Sequence, residues 1–166
     1  CSDRQRKARL WDGSQRACWV WQPLLKSTYL SFLIINYQWL MKKYGKVDGI
    51  LFHQGESDNS DLGLKTYYTN FLEMLKILKD YNIEIPIYLS RTSYCTSKYP
   101  INTNLTDIQN KLIDNYELIR KGPNTDKIIG ENYRKDDCHF SLEGYELFSE
   151  MWLEILIKKT TTSSQS

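Results

Sequence analysis

Helical and strand periodicities alternate along this sequence, and that alternation leaves few architectures open. Over residues 23–44, Leu24, Leu25, Leu30, Leu33, Ile34, Trp39 and Leu40 recur at helical spacing, and Gly45 offers a stop. Residues 47–52 then form a short apolar run that ends in polar residues, the pattern of a buried strand whose C-terminal end opens onto a site. Residues 64–82 read as an amphipathic helix with Tyr67, Phe71, Met74, Leu75 and Leu78 on one face, and residues 83–89 as a strand despite Pro86. A third helix is expected over residues 106–121, on Ile108, Leu112, Ile113 and Leu118. Gly122-Pro123-Asn124 follows as a breaker, Lys127-Ile128-Ile129 as a short strand, and residues 141–158 as a last helix. Such an order predicts an α/β fold, a parallel sheet covered on both faces in a three-layer α/β/α sandwich, with the strand at 47–52 central. Chemistry is then expected beyond the strand ends, after Phe52, Leu89 and Ile129.

A chain of 166 residues, 41% of them hydrophobic, suits one domain and one active site. The 22 basic and 20 acidic residues nearly cancel, and twelve tyrosines are too many for a disordered or nucleic-acid-coating chain, so no nucleic-acid partner is expected. Residues 27–41 carry no charge, but Ser, Thr, Asn and Gln interrupt them and they fall short of the roughly 20 residues that a bilayer span requires. A buried helix is expected there, and no membrane span. Arg4, Arg6, Arg9 and Arg16 crowd the start while later cations are mostly Lys, which divides the chain into an unassigned stretch at 1–22, a domain at 23–158 and a disordered polar tail at 159–166. Cys1, Cys18, Cys95 and Cys138 show no C-x-x-C pairing and leave the redox compartment and the oligomeric state open.

Two segments stand out chemically. His53-Gln54-Gly55-Glu56-Ser57-Asp58 follows the first strand with no aliphatic side chain, and Gly55 permits a turn. Asp136-Asp137-Cys138-His139-Phe140-Ser141 precedes the last helix and holds the other of two histidines. An Asp three residues before a His can fold back onto Nδ1 and leave Nε2 free to take a proton from a serine hydroxyl. Each segment alone also fits an ordinary solvated turn.

Taken together they resemble the SGNH (GDSL-like) hydrolases, in the branch of sialate O-acetylesterases and acetylxylan esterases. The branch's Gln-Gly-Glu-x-Asp segment matches Gln54, Gly55, Glu56 and Asp58; its Asp-x-x-His-(Phe/Leu)-(Ser/Thr) segment and following glycine match Asp136, His139, Phe140, Ser141 and Gly144. The resemblance covers residues 47–158 and implies a carbohydrate O-acetylesterase that acts on an acetylated carbohydrate through a serine acyl-enzyme, without metal or cofactor. It makes His139 the base, Asp136 its orienting partner, Gln54 with Gly55 the oxyanion or substrate-binding element, and Glu56 and Asp58 braces of that loop.

One departure bears on activity. The family's nucleophile lies in a Gly-Asp-Ser or Gly-Gln-Ser segment after a first strand, and none precedes Gln54, so first strand and nucleophile are expected to be missing. Asp12-Gly13-Ser14 has the letters in another order after a charged run. This predicts a chain inactive alone unless Ser14 serves, with an unpaired strand edge. It also keeps open an inactive carbohydrate-binding or structural remnant. A metal-dependent hydrolase on His53, Glu56, Asp136 and His139 is a second alternative; Cys138 beside His139 suggests a thiol nucleophile, but adjacent side chains normally diverge and a small buried thiol is the commoner fate. Asn104-Leu105-Thr106 is a formal glycosylation triplet in which Thr106 can instead cap a helix, and Tyr94, Tyr99 and Tyr133 are candidates for sugar stacking or for packing.

Overall fold

A computed structural model of the chain describes residues 28–162. Its elements, in order, are α1 (Thr28–Tyr44), β1 (Ile50–Phe52), α2 (Asp61–Asp80), β2 (Ile87–Arg91), α3 (Thr103–Asn115), β3 (Ile119–Asn124) and α4 (Leu142–Thr162). Single 3-10 turns at Glu56–Asp58 and Thr125–Lys127 follow β1 and β3. The three strands are parallel in the order β1-β2-β3, and with helices packed on the sheet the fold is the expected α/β sandwich.

Caps and close packing explain most element boundaries. α1 stops where Gly45 takes φ +77°, and its amide donates to the Met41 carbonyl at 2.9 Å. Leu30 and Ile34, four apart, are buried, but Trp39 is 53% exposed and lies under the Lys43 ammonium at 4.7 Å, so it is not on the buried face as expected. Leu24 and Leu25 lie outside the described residues. α2 begins three residues before the expected Leu64 because Ser60 caps it, its Oγ accepting from Gly63 N at 3.1 Å. Tyr67, Phe71, Met74 and Leu78 are buried along one face, and Asn82 at φ 57° turns the chain so that Ile83 N reaches Leu78 O at 2.9 Å. α4 continues to Thr162, past the expected end at 158 and into the stretch expected to be a disordered tail.

The strands differ more from expectation. β2 starts after Pro86, whose carbonyl accepts from Ile50 N at 2.8 Å, and all five of its residues are buried. α3 is capped by Asn102, ends at Asn115, and is followed by a strand where helix and breaker were expected. Gly122 lies inside β3 because a Cβ there would stand 2.8 Å from the Leu89 backbone. Pro123 is absorbed by a register shift, Leu89 pairing Lys121 but Arg91 pairing Asn124, as expected at an edge bulge. Residues 127–129 are therefore no strand, and Ile128 is a fully buried plug. Centrality also changes: β2 is the middle strand, and β1 lies at an edge of the sheet formed by the described residues, with Leu51 51% exposed.

Phe71, Met74, Leu78, Leu89, Leu105, Leu112 and Ile119 fill the core between the sheet, α2 and α3. Each buried side chain contributes on the order of 2 kcal/mol of transfer free energy, enough in sum to fix how the strands align. Among the described residues no helix is long and apolar enough to cross a membrane. The C-terminal ends of the strands are Phe52, Arg91 and Asn124, and the polar loops start there.

Candidate active site

The loop after β1 is built around a missing methyl group and a buried carboxylate. Gly55, at φ 164° and ψ −31°, opens the 3-10 turn Glu56–Asp58, as expected of a residue that permits a turn. It is required because a Cβ would stand 2.3 Å from the Thr92 carbonyl and 2.6 Å from Gln109 Nε2. Gln109, fully buried on α3, itself holds the β2 exit by donating to Thr92 O at 3.0 Å and accepting from Thr92 N at 2.9 Å. Asp58, also fully buried, receives a hydrogen bond from Gln54 Nε2, while its amide donates to Gly55 O at 2.8 Å. Gln54 O accepts from the Tyr67 hydroxyl at 3.0 Å, and burial pushes that phenol's pKa far above its ordinary value, so it stays a donor. Gln54 Oε1 is buried with no partner among the described residues.

His53 and Glu56 point the other way. His53 Nε2 lies 3.3 Å from Glu56 Oε1 and 3.2 Å from Thr125 Oγ1, and its ring packs 4.8 Å from that of Phe148 on α4. Burial lowers the His53 pKa; Glu56 opposes that, and Arg134 adds to it.

The second motif forms a small hairpin. Arg134 and Phe140 make an antiparallel bridge, and Lys135 N donates to His139 O at 3.0 Å. Within it Asp136 Oδ2 lies 2.7 Å from His139 Nδ1, and Oδ1 accepts from His139 N at 2.6 Å and Cys138 N at 3.1 Å. The His139 amide first, then its ring and Cys138 N, hold the Asp136 carboxyl well below the usual carboxylate range. The His139 side chain is 70% exposed, so its far nitrogen is open to an incoming group.

Two contacts tie this hairpin to the loop after β2. Cys138 is bonded to Cys95 in a disulfide with 4.3 Å between Cα atoms, which removes it as a thiolate nucleophile. Asp137, at φ 62°, accepts from the Tyr94 hydroxyl and from Ser97 N at 2.6 Å.

The two motifs are neighbours, since the rings of His53 and Phe140 lie 6.0 Å apart and both pack on Phe148. His53 with Glu56 and His139 with Asp136 remain separate pairs, and among the described residues no group of three His, Cys, Asp or Glu side chains is placed to hold a metal. Gly144 fits under the hairpin because a Cβ would stand 2.2 Å from Tyr133 O. Tyr94 is spent on Asp137, whereas Tyr99 and Tyr133 are each 38% exposed. Thr106 donates to Thr103 O at 3.0 Å inside α3 instead of capping it. Ser14 lies outside the described residues.

Sequence reasoning missed Asp126. Its buried carboxylate accepts from Ser93 N at 2.7 Å, Ser93 Oγ at 2.6 Å and Tyr94 N at 2.9 Å, locking the β2 and β3 exits together. A strand ending at Asn124 would have exposed Asp126 as an exit residue; the strand expected at 127–129 hid it.

Comparison with known proteins gives one match. The family model described as carbohydrate esterase, sialic acid-specific acetylesterase, fits residues 13–158. Searches of curated proteins and of solved structures each returned no match. The fitted span takes in both motif loops, every described strand and nearly the whole chain. The chain therefore belongs to the sialic acid-specific acetylesterase family of carbohydrate esterases.

Proposed function

We propose that this domain removes O-acetyl groups from a carbohydrate through a serine acyl-enzyme, with His139 as general base and Asp136 as its orienting group. The observation that carries this reading is the Asp136–His139 pair. A carboxylate 2.7 Å from Nδ1, itself fixed by two backbone amides, favours the Nδ1–H tautomer and presents Nε2 as the acceptor for a serine proton. The same carboxylate stabilises the imidazolium that results, and the proton then passes to the departing sugar oxygen.

Gln54 is the oxyanion donor in this scheme, with Gly55 beside it. A carboxylate can only accept, so the amide nitrogen of Gln54 must face Asp58; one N–H is held there and the second is left for the developing charge. Asp58 thus orients Gln54, and Glu56 acts on the neighbouring His53. The scheme leaves its nucleophilic serine to be identified, and Ser14, which lies outside the described residues, is the candidate ahead of Gln54.

Acetate release from an O-acetylated sugar tests the reading. His139→Ala should lose several orders of magnitude in kcat, Asp136→Asn at least about a hundredfold, and Gln54→Ala roughly a hundredfold. A serine-directed phosphonate, followed by peptide mass spectrometry, should label one serine, and only while His139 is present. Full activity in His139→Ala, or loss of activity on adding a chelator, would sink the serine scheme. Binding of the acetylated sugar with no acetate released and no serine labelled would favour the inactive carbohydrate-binding reading, which the missing Gly-Asp-Ser segment motivates.

A further inference from the structure

The His139 hairpin carries a buried cation that the scheme above does not use. Arg134 is 3% exposed, and all three of its guanidinium nitrogens donate to backbone carbonyls: Nε to Ile128 O at 2.7 Å, Nη2 to Thr125 O at 3.1 Å and Nη1 to Cys138 O. Its face lies 4.2 Å from the centroid of Phe140, its bridge partner across the hairpin, and 5.5 Å from Tyr94. One planar group therefore spans the turn after β3 and the residue immediately before His139. Thr125, at the far end, is the residue whose hydroxyl meets His53.

We propose that Arg134 is the positioning residue of the catalytic pair: its guanidinium fork sets the Cys138–His139 peptide relative to the β3 exit and so holds His139 in register with Asp136. The inference rests on His139 being the base. Only one type of side chain meets the demands of this position. Filling buried volume needs only an apolar side chain, and taking a cation out of water is costly. A rigid fork with several donors is the group that can satisfy three carbonyls from two separate loops at once; lysine, a point charge on a flexible stem, cannot reproduce it. The hydrogen bonds of Arg134 go to backbone carbonyls and none to the His139 ring, so it acts through the peptide at Cys138.

Arg134→Lys in the full chain is the test, read in two ways. Steady-state acetate release should show kcat down by about a hundredfold with KM within about twofold, the cost of moving a base by a fraction of an ångström to an ångström. Independently of turnover, long-range proton–nitrogen correlation of the imidazoles reports the His139 tautomer, and with two histidines in the chain the assignment is simple. The Nδ1–H form should dominate in the wild type and give way to exchange between tautomers in the lysine variant. An unchanged Nδ1–H signature, or unchanged kcat, would overturn the proposal. So would loss of a cooperative melt in Arg134→Lys, which would assign the residue to the fold alone. If the wild type releases no acetate while the tautomer still depends on Arg134, the esterase scheme fails and the positioning role stands.

Discussion

At position 55 one methyl group decides whether the first loop can close. Gly55→Ala would drive a Cβ to 2.3 Å from the Thr92 carbonyl, backbone that cannot step aside, so the variant should lose about 1–3 kcal/mol in a urea melt. Its role was half legible: the Gln-Gly-Glu pattern marked the residue and its turn, but not the close approach, because the atoms approached come from the residue after β2 and from α3. His53 gives a pH test. Its folded pKa is lowered from about 6.5, chiefly by burial, so the unfolded chain binds the proton more readily. Stability from this group is complete above that value and declines as pH falls below it, until the lowered folded pKa is reached. His53→Gln should flatten the fall in Tm between pH 7 and 5. Asp136 acts in a different window, since its depressed pKa gives stability that is present above the ordinary carboxylate range and lost only in stronger acid.

The element that matters most is the hairpin closed by Arg134 and Phe140. Asp137→Asn keeps shape and tolerates the positive φ, so it isolates the charge that Tyr94 and Ser97 contact. We expect faster hydrogen exchange at Ser97 N, and a Tyr94 phenol whose pKa, raised foremost by its bond to Asp137, drops toward 10 in an ultraviolet titration. An unaltered Tyr94 titration would disprove the tether. Asp-x-x-His was readable because the fold-back is local, three residues long. Asp137's contact is forty residues distant and was not. The helices were legible for the same reason: the face of α2 is written at i, i+4, i+7 and i+11 by Tyr67, Phe71, Met74 and Leu78. β3 was not, because Gly122-Pro123 reads as a breaker until Leu89 and the register shift beside it are known.

For the whole molecule, two six-residue segments set the family before any packing was known, whereas the disulfide joining the second of them to the loop after β2 was invisible. Four cysteines allow three complete pairings, and nothing local selects among them. The Cys95–Cys138 bond spans 43 residues, including α3 and β3, so in the chain-entropy account reducing it should lower stability by about 4 kcal/mol, measurable as a shift of the urea midpoint with and without a thiol reductant. The order of synthesis gives this bond a further consequence. Chains leave the ribosome N-terminus first, at about 5–20 residues per second. Cys95 is thus exposed to Cys1 and Cys18 for seconds before Cys138 has been made. Under oxidising conditions a bridge from Cys95 to either of them would be a wrong one, and reaching the native hairpin from it would require thiol exchange. Yield on oxidative refolding of the complete reduced chain, where all four thiols are present from the start, should therefore exceed that of chains oxidised while still growing, and an added disulfide isomerase should close the gap.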